Sequence, residues 1–422
     1  MKIHHPKYNR KTIVACFVIV FLISNAIQLV AQNSITLQDL LVMAKQNNLQ
    51  VKNEKLKTEY LQQIIKTAKA IPATNIGLDL GQMNSAYFDN RIYASQNIPL
   101  PQTYRNQQHL FTEEWKQSAL IVARKEAELD KAVSSSFYQL VYLIEKEKIL
   151  LQSDATYTEF VRTATLRFSK GESNLLEKIT AETQRGNIKV QLQQLQQEKK
   201  IWQLQLQLLL NTEMEIIPNY DAYKLNATLN TNNKGIAQHP ILQSIQQQLA
   251  VSKASIAIEK SKLLPELSVG FSSTTMRGIG ANDITYNGLS RFQSAQIGAA
   301  IPLFTKAQKE KIKAATMYEG IFVQLYQAQK QELDNQYQSL AMQYVTYLQN
   351  VNYYEQEALP NAKTINFIAD KQFLNGEINY LEWVMLTNQA IEIQNNYIES
   401  VKQLNDILIQ INYITPIGIG TK

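Results

Sequence analysis

The sequence is poor in the residues that most often build compact, chemically active sites. Its 422 residues include one cysteine, four histidines, ten prolines and fourteen glycines. Cys16 lies in a leader segment argued below, which leaves the mature chain without disulfides or thiolate ligands. His4 and His5 fall in the same segment, and His109 and His239 each stand alone. His239 directly precedes Pro240 and reads as part of a helix start. The eight methionines lack the paired spacing of soft-metal ligands. Glu126, Glu128, Glu145 and Glu147 sit among lysines along one helical stretch and read as a solvated face. These absences leave no catalytic constellation and no metal site, so the chain is expected to be no enzyme and to need no cofactor. No basic run interleaved with aromatics is present, so nucleic acid is not an expected partner. Scarce glycine and proline exclude a fold of many short elements and favour long helices.

The longest such helix is legible at once. Residues 102–170 contain neither proline nor glycine, and as one helix they span about 100 Å. No compact core needs such a rod. A second stretch poor in breakers follows Gly171 and carries a seam of Ile188, Leu192, Leu195, Lys199, Trp202, Leu206 and Leu209 at alternating steps of four and three. Such a seam marks coiled-coil packing. The two stretches therefore read as an antiparallel hairpin turning at Gly171.

The N-terminus reads as a secretory signal. A basic region containing Lys2, Lys7, Arg10 and Lys11 precedes an apolar run over 13–23, and Leu29-Val30-Ala31 offers a cleavage site. The run is too short for a spanning helix of about 20 residues. Ile13-Val14-Ala15-Cys16 superficially matches a lipid-attachment box, but the apolar region follows that cysteine instead of preceding it. Without the four basic leader residues the formal charge falls from +6 to about +2, which indicates no partner.

After the leader, 34–71 reads as one helix with Thr36 as its N-cap and Asp39 near the capping-box position. Pro72 ends it. Ile76, Leu78 and Leu80 then alternate with polar or small residues, Asn84-Ser85 and Asp89-Asn90 form a turn, and 92–98 alternates again. These strands are about as long as those that cross a bilayer when tilted, although a surface hairpin on a soluble domain has the same pattern. Tyr87, Tyr93 and Tyr286 fit either an interfacial girdle or cross-strand packing.

The second half repeats the first. A linker over 226–234 leads to a helix from Pro240, and Leu263-Leu264-Pro265 stands where Ala70-Ile71-Pro72 stood. Leu267, Val269 and Phe271 alternate, a polar loop covers 274–290, and 292–301 returns as a strand. Ile301-Pro302-Leu303 matches Ile98-Pro99-Leu100. A long helical run follows, interrupted by Gly320 and Pro360. Phe373-Leu374-Asn375-Gly376-Glu377 then matches Phe168-Ser169-Lys170-Gly171-Glu172, before a last helix. The expected divisions are a signal peptide over 1–31, a first repeat over 32–230 and a second over 231–422. Four strands cannot close a barrel, and lipid does not tolerate an open sheet edge. Either the strands lie outside a membrane, or several copies complete the barrel together.

This organisation resembles the outer-membrane efflux proteins of the TolC family over essentially the whole mature chain. The twofold repeat, the Leu-Pro and Ile-Pro-Leu junctions and the paired glycine turns carry the resemblance. It implies an α+β membrane protein of two tandem structural repeats. Each of three chains would give four transmembrane β-strands to a twelve-stranded barrel, and their helices would form a coiled-coil barrel across the periplasm. It further implies a homotrimer in outer-membrane lipid, docked to a periplasmic adaptor and an inner-membrane pump. Lys170, Gly171, Glu172, Asn375, Gly376 and Glu377 would lie at the docking tips. Glu382 would hold the nearer of two positions that constrict the family's periplasmic gate, with Met385 at the farther. Alternatively Glu382 faces outward and pairs with a lysine of a neighbouring helix. The function implied is a passive exit duct of an efflux or type I secretion system in the outer membrane. The alternative is a periplasmic adaptor or coiled-coil scaffold without its own channel, which should show one helical hairpin flanked by Gly-rich β modules.

Overall fold

Long helices on one side of a small antiparallel sheet make up nearly all of the structure, a computed structural model that describes residues 34–83, 86–226 and 233–415. The expected signal peptide with Cys16, the turn residues Asn84 and Ser85, most of the linker and Pro416 lie outside the described residues.

The expected helix over 34–71 is divided. Ser34–Ile35 is extended and pairs in parallel with Ile217–Pro218. Helix α1 (Leu37–Asn47) starts at Thr36, whose Oγ1 accepts the Asp39 N–H at 3.3 Å. Asn48 ends α1 and caps α2 (Leu49–Lys66), its Oδ1 accepting the N–H groups of Gln50 and Val51. The side chain offers the backbone an alternative to the helical ladder, which is why the helix breaks there. Its Nδ2 donates to the Leu209 carbonyl at 2.9 Å, tying the break to a distant helix.

Strands β1 (Asn75–Gly81) and β2 (Asp89–Ile98) form the first hairpin. Pro101 opens α3 (Pro101–Ser169), where a missing N–H costs nothing. Helix α4 (Leu175–Leu210) returns beside it and ends at Asn211 with φ 48°. The second half runs through α5 (Pro240–Ser261), β3 (Glu266–Thr275), β4 (Arg291–Ala300), α6 (Lys306–Tyr353), α7 (Leu359–Leu374) and α8 (Tyr380–Ile414). The loop expected over 274–290 contains its own small hairpin, Gly278–Ile279 with Thr285–Tyr286.

Neither Gly320 nor Pro360 interrupts the second long run. Gly320 lies inside α6, and α6 continues into α7 through a π-helical turn at Tyr354–Ala358. Proline has no N–H to donate and its ring crowds the preceding turn. The wider turn just before Pro360 absorbs that conflict without ending the rod.

The sheet order is β1-β2-β3-β4, all antiparallel. The helices beside it follow the same order: α2 packs on α3, α3 on α5, and α5 on α6. Farther from the sheet, α4 packs on α3, α3 on α8, and α8 on α6 and α7. The chain is thus a single palisade with two edges. One edge is β1, α2 and α4; the other is β4, α6 and α7. Cores form as separate clusters along the rods, as with Leu40, Val133, Phe137, Leu206 and Leu210 where α1, α3 and α4 meet. In the α4 seam Ile188, Leu195 and Leu206 are buried, while Lys199 reaches across to Glu147 at 2.6 Å.

Candidate functional site

Two surfaces have the attributes of a working site: the faces of the sheet and the far ends of the helical hairpins. In an antiparallel sheet directly opposed residues share a face. The register pairs Leu78 with Ile92, Ala94 with Phe271, Val269 with Ile297 and Leu267 with Ala299. One face therefore carries Ile76, Leu78, Leu80, Ile92, Leu267, Val269, Phe271 and Ile297. Its side chains are open, Ile76 at 77% and Ile297 at 89% exposure. The other face carries Asp79, Arg91, Tyr93, Ser95, Ser268, Ser272, Ser294 and Gln296, and on it Arg91 pairs with Asp79. An outward apolar face backed by a polar one is the alternation of a bilayer-spanning barrel wall and the reverse of a soluble sheet packed on a core. No helix among the described residues is long and apolar enough to cross a membrane.

The aromatic residues resolve individually. Tyr93 lies on the polar face, with its ring across Gly77, where a Cβ would meet it at 2.3 Å, and under the Arg91 guanidinium. Tyr286, in the small hairpin between β3 and β4, packs edge-on against Phe292 of β4. Both make the cross-strand or loop packing that the sequence pattern allowed. Tyr87 is exposed beside the strand ends.

At the other end, both helical hairpins turn in the same way. Gly171 has φ +74° and Gly376 φ +76°. The Gly171 N–H donates to Phe168 O and that of Glu172 to Arg167 O; Gly376 and Glu377 do the same to Phe373 and Gln372. This is the Schellman closure, in which the left-handed residue satisfies the last helical carbonyls. Lys170, Glu172, Asn375 and Glu377 flank the turns and are exposed.

Three residues past each glycine stands an asparagine that caps the returning helix. Asn174 Oδ1 accepts the Glu177 N–H at 3.0 Å, and Asn379 Oδ1 accepts the Glu382 N–H at 3.0 Å. Glu382 completes a capping box by accepting the Asn379 N–H at 2.9 Å. Glu177 turns instead to Arg167 at 3.3 Å. Within the single chain Glu382 therefore meets its own helix start and not a lysine. Its carboxylate is exposed and folded onto its own helix start, with no ion pair among the described residues. Sequence reading missed these caps, although Asn-x-x-Glu recurs at the same distance after both glycines.

Just inside the tips, an aromatic cluster joins the two hairpins. Phe160 of α3 stacks on Trp383 of α8 with centroids 3.4 Å apart, and Tyr157, Phe373 and Tyr380 close around them. Trp383 Nε1 donates to Asp370 at 2.8 Å, and Tyr157 Oη donates to Asn388 Oδ1 at 2.7 Å. Burial pushes the Tyr157 phenol up to about 12, so it keeps its proton. At the π-helical turn, Glu355 accepts from Lys224 and from Tyr397, fixing the segment after α4 to α8. His239 caps α5 through Nδ1, which accepts the Ile241 N–H at 3.2 Å. Burial lowers its pKa, consistent with the neutral form that this cap requires. No group of potential metal ligands occurs among the described residues.

Residues 233–415 match the family model described as outer membrane efflux protein. No curated protein matches the sequence. Solved structures with the same fold include the outer-membrane channel OprN, with TM-score 0.76, 13% identity and 90% of each chain covered. The Campylobacter jejuni outer membrane channel CmeC matches with TM-score 0.74 and 16% identity, over 90% of this chain and 86% of that one. The open state of the Neisseria gonorrhoeae outer membrane channel MtrE matches with TM-score 0.71 and 12% identity, over 90% and 88%.

Proposed function

From the match of residues 233–415 to the outer membrane efflux protein model and the outward apolar face of the sheet, we propose that this chain is an outer-membrane protein without enzymatic activity and that three copies assemble into one exit duct. The observation that carries this reading is the pair of unfinished edges. Along one edge Ile76, Leu56, Tyr60, Leu204 and Leu208 are exposed; along the other Ile297, Leu303, Met317, Ile321 and Phe367 are exposed. The outer sides of β1 and β4 hold no strand partner among the described residues. Unpaired backbone groups and apolar rods on both flanks are satisfied together when copies stand side by side and close into a tube. Twelve strands then form the membrane wall, with the apolar face against outer-membrane lipid and the polar face on the lumen.

In this duct the helices extend into the periplasm, and the turns at Gly171 and Gly376 are the surface that a periplasmic adaptor engages, with an inner-membrane pump supplying the work. Gating is a question of access. The Phe160–Trp383 stack holds the two tips of each copy together, and Glu382 contributes one carboxylate per copy near the periplasmic mouth. Two helical hairpins, each with its own strand pair, speak against the adaptor reading.

The test is the mass of the membrane-extracted protein in detergent. A particle of three chains is expected, and heat should dissociate it. A folded, monodisperse single chain would overturn the reading.

A further inference from the structure

The two repeats meet once inside the chain, and that contact supplies a register for the contact a single chain leaves open. We propose that β4 of one copy pairs antiparallel with β1 of the next copy in one register: Ile297 opposite Leu78, Ala299 opposite Ile76 and Ala295 opposite Leu80. This rests on the assembly of copies argued above and specifies the strand contact by which they join.

Inside the chain, the last strand of the first repeat pairs with the first strand of the second. Ala94 stands opposite Phe271, Gln96 opposite Val269, and Ile92 opposite Ser273. Strand β4 is the counterpart of β2, with Ile98 and Ile301 separated by 203 residues. Strand β1 is the counterpart of β3, with Pro72 and Pro265 separated by 193 residues. Moving each residue of the internal pairs to its counterpart turns Ala94 into Ile297 and Phe271 into Leu78. The other two pairs give Ala299 with Ile76 and Ala295 with Leu80.

Two observations not used in setting those separations agree with the result. The first is the faces. Ala295, Ile297 and Ala299 share the apolar face with Ile76, Leu78 and Leu80. The junction motifs that set the separations carry no information about faces, and an error of one residue in either would have set apolar side chains against polar ones. The second is exposure where strands join helices. Ile98 is 39% exposed at the internal contact, and its counterpart Ile301 is 63% exposed at the edge. Leu100 and Leu264 are half-buried there, while their counterparts Leu303 and Ile71 are open. The side chains left uncovered are those that the same contact, repeated between copies, would cover. Shifts of two residues also preserve the faces, and the internal contact selects among them.

Paired cysteines test the register, because Cys16 is the only native cysteine and lies upstream of the strands. Directly opposed residues have Cα atoms about 4.5–5.5 Å apart, inside the range a disulfide bridges, and a shift of two residues moves them about 7 Å along the strand. In a Cys16→Ala background, Leu78→Cys with Ile297→Cys should give, on mild oxidation, covalent dimers and trimers that a reductant reverses. Each single variant should give no trimers. The shifted pairs, Leu78→Cys with Ala295→Cys or with Ala299→Cys, should give roughly tenfold less product. Should the first pair fail to accumulate, Ile76→Cys with Ala299→Cys reads the same register. A shifted pair that links more efficiently overturns the register. No linking by any pair, in protein whose detergent mass is still three chains, overturns the strand contact alone. A single-chain mass overturns the assembly as well.

Discussion

Gly171 and Gly376 are left-handed residues with open space around the position a Cβ would occupy. Substitution there meets no neighbour, so its cost is backbone strain, about 1–2 kcal/mol and more for a β-branched side chain. Gly171→Val and Gly376→Val should therefore leave the oligomer intact and impair transport by the complete pump assembly. Gly376→Asn, which tolerates this conformation, should retain more activity. Undiminished transport in both valine variants would show that the turns are not docking points. Glu382 combines a charge with a cap, and two substitutions separate them. Glu382→Gln keeps a capping-box side chain and removes the charge, so in planar bilayers it should weaken cation selectivity at unchanged thermal stability. Glu382→Ala should also lose about 0.3–1.5 kcal/mol from the helix start. Unchanged selectivity in the glutamine variant would place the carboxylate outside the tunnel. The glycines were legible because they recur in matching surroundings. The state of Glu382 was not, because its rotation depends on Asn379, whose capping geometry a short motif does not display.

At the level of elements, the long rods and the strands were legible, because breaker-free runs and strict alternation leave few other conformations. The misjudged points are places where one side chain competes with the backbone or a local distortion rescues it. Asn48 breaks a run that hydrophobic spacing alone would continue, and the π-helical turn before Pro360 continues one that proline alone would end. The aromatic cluster near the tips was invisible in sequence, since its members come from α3, α7 and α8. Trp383→Ala removes the stack on Phe160 and the bond to Asp370, a loss of about 3–5 kcal/mol for a buried aromatic. If the cluster holds the periplasmic end shut, this variant should conduct more than the parent in planar bilayers, while Trp383→Phe should stay close to it. Parental conductance in a folded Trp383→Ala assembly would remove the cluster from the gate.

For the whole molecule, duplication was the most informative signal in the sequence, and the order in which helices and strands stand side by side was the least. That order depends on contacts between elements more than a hundred residues apart, such as Asn106 of α3 with Ser261 of α5. In the proposed ring each copy presents one edge and receives another. Such a chain has genetics unlike those of a protein that works alone. A variant damaged only along β4 keeps a sound β1 edge and can still join its neighbours. In a cell making equal amounts of both forms, about one three-copy ring in eight would then be wholly intact. Recessive behaviour is the rule for lost function, but an edge defect in this protein should be dominant.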